Sequence, residues 1–194
     1  MKANIILAGV GGQGILTIAA VLDIAALNNK LHIKQAEVHG MSQRGGAVQS
    51  HVRISDKEIY SDLIPKGAAD IIISVEPMEL LRYLPYLKKD GVLITDSNPF
   101  VNITDYPELE NLYKTIKSYP NSLLIDAKKI AKDLGNSKAT NLVLLGAASG
   151  KLPLTDENLL TAIKTLFEKK GEKIVAKNIE AYHKGKELAS TLVF

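Results

Sequence analysis

The sequence predicts an α/β fold in three layers, α/β/α, in which helices cover both faces of a mostly parallel β-sheet. Two apolar runs, at residues 4–8 and 70–75, predict strands, and the second is continuous rather than alternating, which is typical of a strand that is buried on both faces. Segments with helical periodicity follow them, and this alternation of strands with helices indicates parallel pairing. The chain of 194 residues is long enough for such a fold, and no repeat or linker divides it, so we expect a single domain over residues 1–194.

The individual elements follow from periodicity and from the residues that begin and end them. Pro77 is suited to begin a helix, and Asp90-Gly91 to end it. Alternation over residues 47–54, a turn at Asp56-Lys57 and a short run at 58–61 predict a β-hairpin near residues 47–61. The predicted strands are 4–8, 33–38, 47–54, 70–75, 92–95 and 122–126, with a polar, proline-containing segment before the last, and the other predicted helices are 13–28, 127–134, 140–149, 155–169 and 172–190.

Composition and charge exclude several classes of protein. The net charge is only +3, and lysine pairs lie at predicted helix ends, so we expect no nucleic-acid partner. The apolar run after Met1-Lys2 breaks at Gly9, too early for a membrane span, and no signal-peptide cleavage site follows it, so we expect a cytoplasmic protein without membrane contact. The chain contains no cysteine, which excludes disulfides, cysteine nucleophiles and thiolate-bound iron–sulfur clusters within it.

A glycine-rich turn follows the first predicted strand. Residues 9–14, Gly-Val-Gly-Gly-Gln-Gly, fit the pattern G-x-G-x-x-G between a strand and a helix, where glycines allow a tight turn and the close approach of a diphosphate. Glu37 ends the second strand, at about the place of the acid that binds ribose in dinucleotide-binding folds. This arrangement is Rossmann-like and favours a nucleotide site. Alternatively, the glycines only let the first helix pack tightly against the sheet.

The loop at residues 39–46 combines functional side chains with a bare backbone. Its side chains are His39, Met41, Ser42, Gln43 and Arg44, and its glycines are Gly40, Gly45 and Gly46. Arg44 is one of only three arginines among 24 basic residues, and its planar guanidinium suits a carboxylate or a phosphate. Alternatively, Arg44 is an exposed residue of a turn, His39 is a structural histidine and Met41 fills the core.

Two segments together resemble a known family of enzymes. "GVGGQGILT", residues 9–17, followed by "EVHGMSQRGGAVQSHVRIS", residues 37–55, is similar to the gamma subunit or gamma domain of the 2-oxoacid:ferredoxin oxidoreductases. The form "HGMSQRGG" of the loop looks like the indolepyruvate branch, whose small beta subunit is a free-standing chain of similar length. The segments "ADIIISVEPMELLRYLPYLKKDGVLITDS" and "TNLVLLGAASGKLPL" extend the resemblance over nearly the whole chain.

The resemblance implies an enzyme that oxidatively decarboxylates an aryl-pyruvate to an aryl-acetyl-CoA and reduces ferredoxin, with CoA as cosubstrate. The cofactors that it implies are thiamine diphosphate, Mg²⁺ and [4Fe–4S] clusters. This chain lacks the cysteines that bind clusters, and Asp90-Gly91 reads as a helix end rather than as part of a thiamine diphosphate motif. We therefore expect a larger alpha subunit to carry the cofactors and this chain to be inactive alone.

The glycine-rich turn and the 39–46 loop should meet at the carboxyl ends of adjacent strands, where open α/β sheets bind ligands. No catalytic residue and no metal ligand stands out. The candidates for contact with substrate, CoA or the partner subunit are Gly11, Gly12, Gln13, Gly14, His39, Met41, Ser42, Gln43, Arg44, Gly45 and Gly46. Ser74, Glu76 and Asp96-Ser97-Asn98 end strands near this crevice, where helix capping and turn formation are the expected roles. The alternative functions are a stand-alone NAD- or FAD-dependent enzyme and a nucleotide-binding module.

Overall fold

The computed structural model of the protein describes residues 1–40 and 45–191. A central sheet carries helices on both faces, which confirms the three-layer α/β/α prediction. The strands are β1 (Lys2–Val10), β2 (His32–His39), β3 (Ala47–Ser55), β4 (Ala69–Ser74), β5 (Leu87–Asp96) and β6 (Ser122–Ile125). The helices are α1 (Leu16–Asn28), α2 (Pro77–Arg82), α3 (Leu109–Lys117), α4 (Ala127–Asp133), α5 (Thr140–Ala148), α6 (Asp156–Phe167) and α7 (Glu172–Thr191).

The sheet has six strands in the order β2-β3-β1-β4-β5-β6. β1, β4, β5 and β6 pair in parallel, whereas β3 is antiparallel to both of its neighbours, β1 and β2. Every strand except β3 therefore runs in the same direction, and the prediction of a mostly parallel sheet is confirmed. The chain moves from β1 through α1 to β2 on one side, and then returns to β4 on the other side. The boundary between β1 and β4 is thus the switch point of the sheet.

The prediction of a hairpin near residues 47–61 is wrong in its second strand. β3 forms its hairpin with β2 instead, and residues 58–61 are irregular. The physical reason is that β1 and β2 already occupy both edges of β3, so no ladder position is left for a later segment. Side chains of β3 bind that segment instead, because the Arg53 guanidinium donates to the carbonyl oxygens of Ser61 and Leu63, and His51 Nδ1 accepts from the N–H of Ile64.

Two other sequence predictions need correction. The helix that begins at Pro77 ends at Arg82, and a short 3₁₀ turn at Leu84–Tyr86 follows, because Pro85 has no N–H with which to continue the helix. Asp90-Gly91 consequently lies within β5 and does not end a helix. The helix α3 was not predicted, because the sequence before β6 is polar and punctuated by prolines, and only two of its side chains are buried.

The two faces of the sheet bury different layers of side chains. In β1, Ile5 and Leu7 pack into the larger core with α1, α4, α5, α6 and α7. Ile6 and Ala8 point to the opposite face and into a smaller core with α2 and α3. Because β1 is covered on both faces, its apolar run is continuous. Among the described helices, none is long and apolar enough to cross a membrane.

Two glycines bring α5 and α7 into unusually close contact. A Cβ atom on Gly146 would lie 1.9 Å from the backbone oxygen of Tyr182 in α7. A Cβ atom on Gly185 would lie 1.8 Å from the backbone oxygen of Val143 in α5. The backbones therefore pack directly on each other, and neither helix has room for a side chain at these positions.

We expect Gly146→Ala and Gly185→Ala each to lower the free energy of unfolding by about 1–3 kcal/mol or more, because the added methyl group must push two helix backbones apart. Urea unfolding followed by circular dichroism measures this change. Gly150→Ala is the matched control, because a Cβ at Gly150 meets no atom within 4 Å. Equal stability of the Gly146 and Gly150 variants would contradict the close packing of α5 and α7.

Candidate functional site

The glycine-rich turn and the end of the 39–46 loop are hydrogen-bonded to each other. The N–H of Gly11 donates to the carbonyl oxygen of Gly46 over 2.8 Å, and the N–H of Gly45 approaches the carbonyl oxygen of Gly11 at 3.5 Å. The two segments therefore meet, as the sequence predicts. The strands β1 and β2 that lead into them are not adjacent, however, because β3 runs between them.

Met41, Ser42, Gln43 and Arg44 lie outside the described residues, so their candidacy stays a prediction from the sequence. The described part of the loop carries little side-chain bulk. Among the described residues, a Cβ on Gly12 of the neighbouring turn would meet no atom within 4 Å, and a Cβ on Gly45 would meet only Asn102, at 3.9 Å. The described backbone at these two glycines thus leaves room for close approach by another group.

Gln13 ties the end of β1 to the end of β4. Its side-chain oxygen accepts a hydrogen bond from the N–H of Val10 over 2.8 Å, and its amide nitrogen donates to the carbonyl oxygen of Val75 over 3.2 Å. Open α/β sheets bind nucleotides in the crevice at this switch point. Because the Gln13 amide spans that crevice, the side chain has a structural contact in addition to its predicted role.

Asn141 connects the same turn to α5. Its amide nitrogen donates to the carbonyl oxygens of Gln13, over 3.1 Å, and of Gly14, over 2.8 Å. Gly14 has a φ of +70°, and a Cβ there would lie 3.1 Å from the Asn141 amide nitrogen. The glycine is therefore needed both for its conformation and for the approach of α5. The sequence indicated Asn141 only as a residue at a helix start, since nothing local signals its contact with the turn.

Two clefts flank the glycine-rich turn. We call the first the His39 cleft: it has a volume of about 670 Å³ and is lined by Leu16, His39 and Gly40. We call the second the lysine cleft: it has a volume of about 500 Å³ and is lined by Lys128, Lys138, Lys170, Asp96 and Asn141. Gly12, Gly14 and Thr17 line both clefts, so the turn forms the wall between them.

Glu37 does not lie beside the glycine-rich turn as a ribose-binding acid would. It pairs with Ser50 of β3, which separates it from β1. Its carboxylate accepts from the Gln35 amide over 2.5 Å and lies 3.1 Å from Nε2 of His39, whose side chain is 55% exposed. The dinucleotide arrangement predicted from the motif and Glu37 is therefore not formed.

The carboxyl group of Asp23 in α1 is a charged group near this edge. Its Oδ1 is buried and has no hydrogen-bond partner among the described residues. Burial, and secondly the charge of Glu37, raise the pKa of Asp23 from 3.8 to about 6. The unfolded chain therefore ionises Asp23 at lower pH than the folded chain does, and folding loses stability as the pH rises through this range.

We expect Asp23→Asn to raise the free energy of unfolding at pH 7 by about 1–2 kcal/mol, after allowance for solvent screening, and to have little effect at pH 4. Unfolding curves at a series of pH values measure the difference. Asp133→Asn, which removes an exposed carboxyl group from α4, is the control for the loss of one negative charge. A gain from Asp23→Asn that is equal at both pH values would exclude a raised pKa as its cause.

A segment that we call the strap, residues 97–106, reaches from β5 to the glycine-rich edge. Glu76 anchors it, because one carboxylate oxygen accepts from the N–H of Phe100 over 3.3 Å and from the hydroxyl of Tyr106. The other oxygen accepts from the N–H of Glu79 over 2.7 Å and caps α2. The amide of Asn102 then donates to the carbonyl oxygen of Gly45 over 2.5 Å. The capping role predicted for Glu76 is confirmed, and its anchoring of the strap is additional.

Asp96, the last residue of β5, and Asn98, at the start of the strap, line part of the lysine cleft. Asp96 is only 3% exposed, and its carboxylate accepts from Asn98 over 2.9 Å and from the N–H of Ala127 over 3.1 Å. Burial raises the pKa of Asp96, although these hydrogen bonds oppose the shift. The Asn98 amide also donates to Asp126, which caps α4 by accepting from the N–H of Lys129. These contacts confirm the expected capping and turn-forming roles.

We expect Tyr106→Phe to lower the free energy of unfolding by about 1.5–3 kcal/mol, because the buried carboxylate of Glu76 loses its hydroxyl donor. Burial and the bond to Glu76 also raise the pKa of Tyr106, which keeps the hydroxyl protonated. Denaturant unfolding measures the loss. Tyr119→Phe is the control, since the Tyr119 ring packs in the smaller core and its hydroxyl is in no described hydrogen bond. Similar stabilities of the two variants would show that Glu76 does not depend on Tyr106.

The described residues contain no group of three or more His, Asp or Glu side chains that could hold a metal ion, and the sequence has no cysteine to bind an iron–sulfur cluster. What the described edge provides is an open glycine backbone, a strap and two clefts. That combination is suited to binding another molecule.

Comparison with known proteins identifies the class. Residues 4–188 match the family model described as pyruvate ferredoxin/flavodoxin oxidoreductase. The chain belongs to this family.

Individual relatives cover nearly the whole chain. The protein named Indolepyruvate oxidoreductase subunit IorB of Pyrococcus horikoshii is 38% identical over 98% of this chain and 97% of its own length. The protein of the same name in Archaeoglobus fulgidus is 37% identical over 95% of this chain and 94% of its own length. The 2-oxoglutarate synthase subunit KorC of Methanothermobacter marburgensis is 31% identical over 97% of both chains.

Solved structures share the fold. The gamma subunit of a keto/oxoacid ferredoxin oxidoreductase from Geobacter sulfurreducens is similar with a TM-score of 0.71 at 24% identity, over 98% of this chain and 99% of that one. The 2-oxoglutarate:ferredoxin oxidoreductase of Magnetococcus marinus is similar with a TM-score of 0.78 at 23% identity, over 99% of this chain but 32% of that longer one. At these identities the likeness concerns the fold.

Proposed function

We propose that this chain is the small subunit of an indolepyruvate ferredoxin oxidoreductase and acts as a single domain over residues 1–194. The observation that carries the proposal is 37–38% identity, along nearly the full length, to proteins named Indolepyruvate oxidoreductase subunit IorB. Those relatives are subunits by name, so the activity that we propose belongs to an assembly.

The proposed reaction is the oxidative decarboxylation of an aryl-pyruvate. The bond between the carboxylate and the carbonyl carbon breaks to release CO₂, and the remaining acyl group forms a thioester with the sulfur of CoA. Two electrons pass to ferredoxin, and the thiol proton of CoA is released. Thiamine diphosphate, Mg²⁺ and [4Fe–4S] clusters would perform the bond breaking and the electron transfer in such an assembly.

We assign these cofactors to a larger alpha subunit. Clusters of this type need cysteine ligands, and this chain has none. Asp90-Gly91, the one Asp-Gly pair, lies in the first half of β5, far along the strand from the carboxyl edge. The residues of this chain therefore do not suit an iron–sulfur cluster or thiamine diphosphate. Its proposed contribution is to bind the partner subunit or CoA and to hold it in position.

We assign the contact with the partner subunit or with CoA to the glycine-rich edge. The hydrogen bond between Gly11 and Gly46 holds the two glycine segments together. The exposed imidazole of His39 lines the cleft beside them, and the amide of Asn102 in the strap donates to the carbonyl oxygen of Gly45. Arg44 immediately precedes this bare backbone in the sequence, and a planar guanidinium is chemically suited to a carboxylate or phosphate of the bound molecule.

The alternative, a stand-alone NAD- or FAD-dependent enzyme, has less support. The Gln13 amide spans the crevice between β1 and β4, and Glu37 is separated from the turn by β3. A dinucleotide would need that crevice for its diphosphate and an acid beside it for its ribose.

Reconstitution tests the proposal. We expect indolepyruvate- and CoA-dependent reduction of a viologen dye only when this chain is combined with the large subunit. Arg44→Ala should lower assembly or turnover about tenfold or more, since a charge-assisted hydrogen bond contributes about 1.5–3 kcal/mol. It should change the free energy of unfolding by no more than about 0.5 kcal/mol. Arg44→Lys should restore function only in part, because an ammonium group cannot form the bidentate contact.

The control for Arg44→Ala is Lys57→Ala, which removes an exposed positive charge at the opposite edge of the sheet. Complex formation and dye reduction are measured separately for each variant. Dye reduction by this chain alone would contradict the division of labour between subunits. If Arg44→Ala assembles and turns over like the wild type, the alternative interpretation holds, in which Arg44 is an exposed residue of a turn without a role in binding.

A further inference from the structure

β2 lies at one edge of the sheet, and no other described strand pairs with its outer side. In the order β2-β3-β1-β4-β5-β6 it has a single neighbour, β3. The strand is eight residues long, and none of its residues is fully buried. β6, which forms the other edge, has only four residues. β2 is therefore the longer of the two open edges.

The ladder with β3 determines which backbone groups of β2 point outward. The N–H of Gly40 donates to the carbonyl oxygen of Ala47 over 2.9 Å, and the register of β2 on β3 continues from there without a shift. Because bonded and non-bonded pairs alternate along an antiparallel ladder, the even-numbered residues of β2 bond to β3. The N–H and carbonyl groups of Ile33, Gln35 and Glu37 therefore point away from β3, and no hydrogen bond within the described part of the chain uses them.

β2 has few of the features that normally protect an open edge. Edge strands are protected by short length, by proline, by bulges or by charged side chains. β2 contains no proline, its ladder with β3 has no bulge, and Lys34 is its one lysine. An open edge of this length suits an extended segment of another chain, which would bond to every second residue of β2.

The two faces of this edge differ in chemistry. The side chain of Glu37 lies on the α1 face, close enough to Asp23 for its charge to contribute to raising the pKa of that carboxyl group. On the opposite face, Ala36 is partly buried and the side chain of Val38 is 49% exposed. A strand that fits both faces has basic side chains towards the two acids and apolar side chains towards Ala36 and Val38.

A second copy of this chain fits the edge less well. Two β2 strands that pair antiparallel about a two-fold axis perpendicular to the sheet keep their α1 faces on the same side. Asp23 and Glu37 of both copies would then share one face of the joint sheet, where like charges are unfavourable. The charge of this edge therefore favours a different chain.

We propose that an extended segment of the large subunit adds a strand to β2. The segment bonds to the outward backbone groups of Ile33, Gln35 and Glu37, and places basic side chains beside Glu37. β2 ends at His39, which lines the His39 cleft next to the glycine-rich edge, so one subunit can occupy both surfaces. This inference rests on the proposed function and adds a second contact surface to the same assembly.

Hydrogen exchange at residue resolution tests the added strand in the reconstituted complex. In the isolated chain, the amides of Ile33, Gln35 and Glu37 should exchange at close to the rate of an unstructured peptide. In the complex, we expect their exchange to slow about tenfold or more. The amides of Lys34 and Ala36 are the internal controls, because their bonds to β3 protect them in both states.

A complex that turns over while the three outward amides stay unprotected would overturn the inference and leave the proposed function intact. Failure of the two subunits to form any complex would overturn both. Protection of these amides in the isolated chain that increases with its concentration would also overturn the inference, because a second copy would then occupy the edge.

A proline substitution tests the same strand through the affinity of the large subunit. Gln35→Pro removes one outward N–H and leaves the ladder with β3 intact. We expect it to weaken the complex about tenfold, because a hydrogen bond is lost and the ring obstructs the incoming strand. Gln35→Val is the matched control, since it loses the same side chain but keeps the N–H, and its affinity should stay within about twofold of the wild type.

Circular dichroism of the isolated variants verifies that each is folded, and the exchange measurement on the wild type depends on neither of them. Equal affinities of Gln35→Pro and Gln35→Val for the large subunit would contradict the added strand. Glu37→Lys should also weaken the complex, by about twofold to fivefold, because it opposes the basic side chains of the segment. A tighter complex with Glu37→Lys would contradict a basic partner.

Discussion

The hydrogen bonds around the turn at residues 9–14 hold together parts of the chain that are far apart in sequence. Gln13 joins the turn to the end of β4, Gly11 joins it to Gly46 and β3, and Asn141 joins it to α5. Each such bond contributes only about 0.5–1.5 kcal/mol, but together they determine the shape of the carboxyl edge. Both clefts share this turn as a wall, so their geometry depends on it.

The sequence predicts the elements whose burial is decided locally. β1 and β4 are covered on both faces, and their apolar runs are continuous for that reason. Which strands pair with each other depends on residues that are distant in sequence. The alternation in β3 correctly indicates a sheet strand, but not that its partners are β1 and β2, because the same alternation would suit a later partner. The end of α2 depends on Pro85, and α3 buries too little to produce a strong pattern.

The candidate site also has a part that the sequence predicts and a part that it does not. The two glycine segments could be predicted to meet, because both follow strands that point to one edge of the sheet. Asn141 could not be connected to Gly14, since 127 residues separate them and an asparagine at a helix start has a sufficient local explanation. The lysines of the lysine cleft are also ordinary surface residues in the sequence, and only the packing of α4, α5 and α6 brings them together.

The contact between α5 and α7 has a consequence for synthesis on the ribosome. α5 carries the asparagine that holds the turn after β1, and α5 in turn packs backbone to backbone against the last helix through Gly146 and Gly185. A nascent chain that has not yet released residues 172–191 from the exit tunnel lacks the backbone on which one face of α5 packs. The turn after β1 therefore gains the full support of α5 only once α7 has left the tunnel.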